Sequence, residues 1–260
     1  FLVAGIVLFS FLAWRGHALP TPKQWLAAGA IGILLLAVGN GLVTVAEHQH
    51  VPSGIAAVMV ATVPLFTLCF SLLWGMRNTK LEWAGIALGL VGIVLLNTGN
   101  NLVGNPTGAL LILLASASWA FGSVLGSRIS LRAGPMAGAA EMLVAGVVLL
   151  AACQLRGERL TQMPSTGGFL ALGYLIVFGS MLAISAYMFL LKNVRPAVAT
   201  SYAYVNPVVA VLLGIGFAGE SLAPREWLAL VIIVAAVVLV TLGKYLFARP
   251  ARVQAIDSER

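Results

Sequence analysis

Charge is what this sequence has least of. Asp, Glu, Lys and Arg make up 9% of its 260 residues, where a soluble domain carries about a quarter. With 60% hydrophobic residues and a mean hydropathy of +1.01, no stretch remains for a sizeable soluble domain, and a separate extramembrane enzyme domain is excluded. Cysteine is scarce too: Cys69 and Cys153 each lie inside an apolar run, where a thiol behaves as a small hydrophobe, so neither a disulfide framework nor a cysteine metal site is expected. Histidine is equally sparse. The run Glu47 to His50, "EHQH", sets its two histidines two apart at a span end, without the i, i+4 spacing that would put both on one helix face. P-loop, GxSxG, HExxH and paired deep carboxylates are missing, so ATP-driven chemistry and membrane hydrolysis lose support and no cofactor or metal is expected. The net charge of +7 points to no nucleic-acid partner, because the basic residues belong to connecting segments of a membrane chain.

What is abundant is long apolar sequence. Polar and Gly/Pro punctuation divides it into a partial helix at 1–14 and spans near 24–46, 53–75, 82–98, 107–130, 136–155, 168–191, 196–219 and 226–247, most of them near the roughly 20 residues that cross about 30 Å of hydrocarbon. These runs are long and continuously apolar, unlike the alternating segments of about 10 residues in barrel strands, so the fold class is an all-α polytopic membrane protein.

The chain also resembles itself at a spacing of about 140 residues. "LVAG" at Leu2–Gly5 returns at Leu143–Gly146, Arg15-Gly16 at Arg156-Gly157, "VPSGIAA…VP" from Val51 as "VRPAVAT…NP" from Val194, and Glu82-Trp83 at Glu226-Trp227. This gives a first repeat at 1–104, a second at 105–247 and a polar tail at 248–260. Phe1 aligns inside a helix of the second copy, so the first helix and part of the second are expected to precede Phe1, about 35 residues or more, making ten helices, five plus five. An odd number of spans per repeat implies an inverted arrangement. Charge agrees with it: Arg15, Lys23, Arg77, Lys80, Arg128, Arg132, Lys192, Arg195, Lys244, Arg249, Arg252 and Arg260 fall on one side, and only Arg156, Arg159 and Arg225 on the other. The first side is the cytoplasm by the positive-inside rule, and the termini lie there.

Deep polar groups are the candidate functional residues. Most tryptophans sit at span ends, but Trp119 lies about twelve residues into its span among Ser116, Ser118 and Ser123. Its N–H needs a partner or water at that depth, so it either lines a cavity or packs between helices. The run "SYAYVNP", Ser201–Pro207, places Tyr202 and Asn206 four apart on one face, with Thr200 and Tyr204 on a neighbouring one. Pro207 deprives a carbonyl near Ala203 of its partner, and Pro64 is the equivalent point in the first copy. Two proline-interrupted helices point to a central site between the repeats; a packing kink is the other reading. Asn40 and Tyr187 are further candidates, whereas Ser185 can bond its own backbone. Glu141, about a turn and a half inside its span, is the candidate coupling or gating carboxylate.

These residues resemble the EamA-type branch of the drug/metabolite transporter superfamily across essentially the whole chain. The resemblance is carried by "VPSGIAAVMVATVPLFT" (51–67), "LEWAGIALGLVGIVLLN" (81–97), "SASWAFGSVLGSR" (116–128) and "ATSYAYVNPVVAVLLG" (199–214), followed by "GESLAPREW". It implies ten helices in two inverted repeats, cytoplasmic termini, a bacterial inner-membrane location and export of amino acids or other small metabolites through a central cavity. One departure is visible: the family's Gly-Glu-Arg at the end of its fourth helix is Gly75-Met76-Arg77 here, while the second copy keeps Gly219-Glu220.

The expectation is therefore a secondary transporter working by alternating access, with Trp119, Tyr202, Tyr204, Asn206, Asn40 and Tyr187 at the substrate, Pro64 and Pro207 at kinks, and Glu141 at coupling. Its partners are a small-molecule substrate and the lipid bilayer. A scaffold that dimerises through the aliphatic last helix, Leu228–Leu242, and a membrane-embedded enzyme are the alternatives.

Overall fold

The structure is a computed structural model that describes residues 1–51, 53–76, 78–96, 106–129, 135–158, 163–206, 208–209 and 224–247. Its elements are helical: α1 (Leu2–Trp14), α2 (Pro22–His48), α3 (Ser53–Val60), α4 (Val63–Leu73), α5 (Lys80–Leu96), α6 (Pro106–Arg128), α7 (Pro135–Leu155), α8 (Thr166–Asn193), α9 (Pro196–Thr200) and α10 (Pro224–Phe247). No strand occurs among the described residues. Four helices, Pro22–His48, Pro106–Arg128, Met136–Leu155 and Thr166–Asn193, are long and apolar enough to cross a membrane.

Local chemistry sets the ends. Thr21 and Gln24 form a reciprocal capping box at the start of α2, with Pro22 as its first residue, and Ser165 Oγ accepts from Gly168 N–H to start α8. The repeated Arg-Gly closes α1 and α7 alike. Gly16 and Gly157 both take positive φ, +80° and +71°, and the N–H groups of His17 and Glu158 reach back to the carbonyls of Leu12 and Cys153. This is the left-handed stop that glycine permits without a Cβ clash.

The expected kinks have two different outcomes. The helix beginning at Ser53 is interrupted at Ala61-Thr62 and restarts with Pro64 in its first turn. In the second copy the interruption is a turn at Ser201, after which 202–206 is helical again; Pro207 lies outside the described residues.

Helices at corresponding places in the sequence repeat pack reciprocally. In α1 and α7, a Cβ on Gly5 would come within 2.8 Å of Leu143 N, and one on Gly146 within 2.6 Å of Leu2 N. In α5 and α10, Gly85 lies against the Ala236 carbonyl oxygen and Gly92 against that of Ala229, at 3.0 and 3.3 Å from the same ideal positions. An early residue of one helix meets a late residue of the other, and the reverse, so α5 and α10 run antiparallel. Glycine allows the backbones to approach this closely. The far face of α10, with Leu228, Val231, Val234 and Val238, is exposed and is the surface left for lipid or a second copy.

Two stretches depart from α geometry: Ile33–Asn40 in α2 and Leu175–Leu182 in α8 are π-helical. They are equal in length and offset by 142 residues (175 minus 33), which matches the spacing of the sequence repeat.

A candidate substrate cavity and its vestibule

The first π-helical stretch meets α6 at close range. Ser118 Oγ donates to the Leu34 carbonyl at 2.7 Å, and a Cβ on Gly39 would lie 2.9 Å from the Trp119 ring. Trp119 can therefore lie flat against α2 only because residue 39 is glycine. The widened turn ends at Asn40 and presents it next to that ring; π-bulges commonly serve functional sites in this way.

From α8, Tyr187 approaches the same place. Trp119 Nε1 donates to Tyr187 Oη at 3.1 Å, and Ser123 Oγ lies 2.6 Å from the same oxygen. Ser123 also holds the Trp119 carbonyl at 2.7 Å. Tyr202 completes the group: the Trp119 and Tyr187 rings sit 5.5 Å apart with a 43° tilt, and Tyr187 and Tyr202 meet edge to face, also at 5.5 Å. The indole N–H at membrane depth thus has its partner, as its chemistry requires.

Trp119, Tyr187 and Tyr202 wall a cavity of about 310 Å³ together with Asn40, Phe1 and Gly179. A second cavity of about 790 Å³ shares Phe1 and Asn40 with it and extends past Thr44 and Cys153 to His48, Arg156 and Glu158. The smaller chamber is lined by aromatic, aliphatic and amide side chains and by no charged side chain; the larger, termed the vestibule, is bounded by Phe1 and by α7 from Val148 onward and carries an ion pair, Arg156 Nε to Glu158 Oε1 at 3.0 Å, at its rim. An uncharged aromatic wall with one amide can stack a flat or aliphatic body and hydrogen-bond a polar end.

Four of the expected site residues are thus together: Trp119, Tyr187, Tyr202 and Asn40. Tyr204 and Asn206 are not among the residues that wall either cavity. Tyr204 is fully buried against α5, its ring where a Cβ on Gly89 would stand and its hydroxyl 3.4 Å from the Ile86 carbonyl. Asn206 is exposed, one turn beyond Tyr202 on the same face. Pro64 is buried in the first turn of α4.

Glu141 is enclosed by protein, at 2% exposure. Its Oε2 has no hydrogen-bond partner among the described residues. It faces a void of about 10 Å³ bounded by Ile31, Gly126, Met188 and Lys192, room for about one water. Sequence reasoning missed Ser123 as the residue that fixes Tyr187; its position four after Trp119 was the available sign.

Comparison with known proteins agrees with this geometry. Residues 1–98 and 106–242 match the EamA-like transporter family. The inner membrane transporter YedA of Escherichia coli (strain K12) is 69% identical over 247 residues, which is 95% of this chain and 81% of that protein. The threonine/homoserine exporter RhtA of the same organism is 30% identical over 191 residues, covering 72% of this chain and 62% of its own. A crystal structure at 21% identity superposes with a TM-score of 0.76 over 93% of this chain and 85% of that one, a likeness of fold. An aromatic chamber joined to a vestibule in an all-helical apolar chain, with these relatives, has one reading: the chain belongs to the EamA-like transporter family and is an inner-membrane transporter.

Proposed function

We propose that the chain is a secondary transporter that exports small polar metabolites, amino acids among them, by alternating access between two inverted five-helix repeats. The observation that carries the proposal is the chamber of Trp119, Tyr187, Tyr202 and Asn40, built from helices of both repeats and continuous with the vestibule. The reciprocal Gly85–Ala236 and Gly92–Ala229 approaches support repeats related by a two-fold axis in the membrane plane, the plan in which rocking one bundle against the other exposes a midplane site to each side in turn. The π-helical stretches 142 residues apart (175 minus 33) support the same plan. RhtA, whose name gives threonine and homoserine as its cargo, supports the amino-acid class, and the absence of charge in the chamber argues against phosphorylated cargo.

In this reading Trp119, Tyr187 and Tyr202 stack on the solute and Asn40 holds its polar end. Asn206 extends the Tyr202 face by one turn, and Tyr204 fixes the helix that carries both. Glu141 is the coupling carboxylate: an unpaired buried charge is costly, so arrival or loss of a proton changes how α7 packs against α2 and α8, with Lys192 the cation facing the same void.

Efflux from proteoliposomes loaded with labelled amino acids and related metabolites tests this. Trp119→Ala is expected to lose at least about ten-fold in flux, since a buried aromatic contact and a hydrogen bond are both removed, and Glu141→Gln to make flux indifferent to an imposed pH gradient. Flux equal to wild type in Trp119→Ala and in Tyr187→Phe would remove the chamber as the substrate site. No flux of any solute, with the protein inserted and folded, would favour the scaffold.

A further inference from the structure

One polar cluster lies away from the chamber. Glu82 begins α5 and its carboxylate is fully buried. Its Oε2 accepts from Thr79 N–H at 2.7 Å and from Thr79 Oγ1 at 3.1 Å, while Thr79 Oγ1 accepts from Glu82 N–H at 3.1 Å. That is a complete helix cap, and it uses one carboxylate oxygen. The other, Oε1, points across to the second repeat and pairs with Arg195 Nη1 at 3.1 Å. Arg195 Nη2 reaches Asn78 Oδ1 at 3.4 Å, and Asn78 Nδ2 donates to the Leu68 carbonyl at 2.9 Å. Nearby, Arg128 Nη2 at the end of α6 donates to the Trp74 carbonyl at the end of α4, at 3.1 Å. The links from Arg195 to Glu82 and Asn78 and from Arg128 to Trp74 join the first repeat to the second, the Asn78 to Leu68 bond anchors the amide within the first, and all lie at the basic end. At the opposite end lie the vestibule rim residues His48, Arg156 and Glu158, and the ion pair there joins neighbours within one connection.

The sequence builds the cluster at one end only. With Glu82-Trp83 aligned to Glu226-Trp227, Asn78 and Thr79 correspond to Leu222 and Ala223. With Val51 aligned to Val194, Arg195 corresponds to Pro52. The second copy thus keeps the glutamate, but the cation, the amide and the capping hydroxyl have no counterparts. In an inverted repeat of two identical sequences the inward-open and outward-open states would be equal in energy. Residues that break the symmetry set which is favoured.

We propose that Glu82, Arg195 and Asn78 form a latch that holds the basic end closed. The latch rests on the inverted-repeat reading above. It must release each time the basic end opens, so it sets the resting conformation rather than the fold.

A cysteine placed at the basic end supplies the reporter. Ala197, two residues after Arg195, is buried; with Ala197→Cys in a Cys69→Ser, Cys153→Ser background of the full chain, a membrane-impermeant maleimide applied to inside-out membrane vesicles reads how often the basic end opens. Glu82→Gln and Arg195→Gln are expected to speed labelling at least about five-fold, the lower range of coupling between two states. A single buried charge left without its partner is poorly tolerated, so Glu82→Leu with Arg195→Met, which removes both, is the decisive variant and should speed labelling as much. Wild-type labelling in that folded double variant would overturn the latch. Solute flux on the same protein separates the two proposals: unchanged labelling with normal flux removes the latch and keeps transport, and faster labelling with no flux of any solute keeps the latch and removes transport.

Discussion

Helices α2 and α8 hold corresponding places in the sequence repeat, and their surroundings among the described residues differ. Both start from a hydroxyl cap, both run for nearly thirty residues and both widen into a π-helical stretch at the same point of the repeat. Yet 44% of the most apolar window of α2 is buried, against 11% for α8. Helix α6 lies along α2 through Ser118, Trp119 and Gly122, while Leu170, Tyr174, Phe178 and Leu182 on α8 are exposed. Both stretches nonetheless meet the same core, α2 through Leu35, Leu36 and Ala37 and α8 through Ile176 and Met181. Both widened turns wall the aromatic chamber, α2 through the Asn40 amide and α8 through Gly179, and only the first brings a polar side chain to it.

The largest effect is expected where the comparison is sharpest. A Cβ on Gly32, just before the π-helical stretch of α2, would stand 2.5 Å from the Glu141 carbonyl oxygen, whereas one on Gly173 in α8 would meet nothing within 4 Å. Backbone cannot move aside as a side chain can, so Gly32→Val should destabilise by about 3 kcal/mol, the upper range for overpacking. Thermal unfolding in detergent measures it, and an unchanged unfolding midpoint would mean that α7 does not press on α2 there.

A smaller effect follows at the end of each π-helical stretch, where α2 has Asn40 and α8 has Leu182. Asn40 belongs to both cavities; Leu182 is 61% exposed. Asn40→Leu gives the first repeat the second repeat's residue, and it should leave folding intact while lowering the ratio of maximal flux to half-saturating concentration about ten-fold, one hydrogen bond's worth. Flux unchanged in that variant would mean the widened turn serves packing alone.

Much of this fold is legible in the sequence. The spans expected at 24–46, 107–130 and 168–191 correspond to Pro22–His48, Pro106–Arg128 and Thr166–Asn193, because apolar length is fixed by the bilayer and ends are fixed by local caps. The π-helical stretches were not readable: no residue type marks them, and only their repetition at one spacing shows they are encoded. The site was readable in part. Trp119, Tyr187 and Asn40 were each conspicuous as deep polar groups, but the bond between Trp119 and Tyr187 spans 68 residues and has no sequence signature. Periodicity placed Tyr202 and Tyr204 on different faces without telling which face met the cavity. Half of the Glu82 cluster lay in plain view as Thr79-x-x-Glu82; the other half, Arg195, is 113 residues away (195 minus 82) and became visible only when the repeats were folded together.

The smallest expected effect lies one turn after Asn40, where α2 has Thr44 and the same offset in α8 gives Ala186. Both wall a cavity, Thr44 the vestibule and Ala186 the aromatic chamber. The Thr44 hydroxyl donates to the Asn40 carbonyl at 3.1 Å, a bond back to its own helix that contributes little to stability or to reading a solute. Thr44→Ala should therefore shift stability by no more than about 0.5 kcal/mol and leave flux within two-fold, roughly. Set beside Asn40→Leu, it separates a polar group that faces the cavity from one whose hydrogen bond is already spent on the backbone. A loss of flux in Thr44→Ala as large as in Asn40→Leu would mean the vestibule, and not the aromatic chamber, selects the solute.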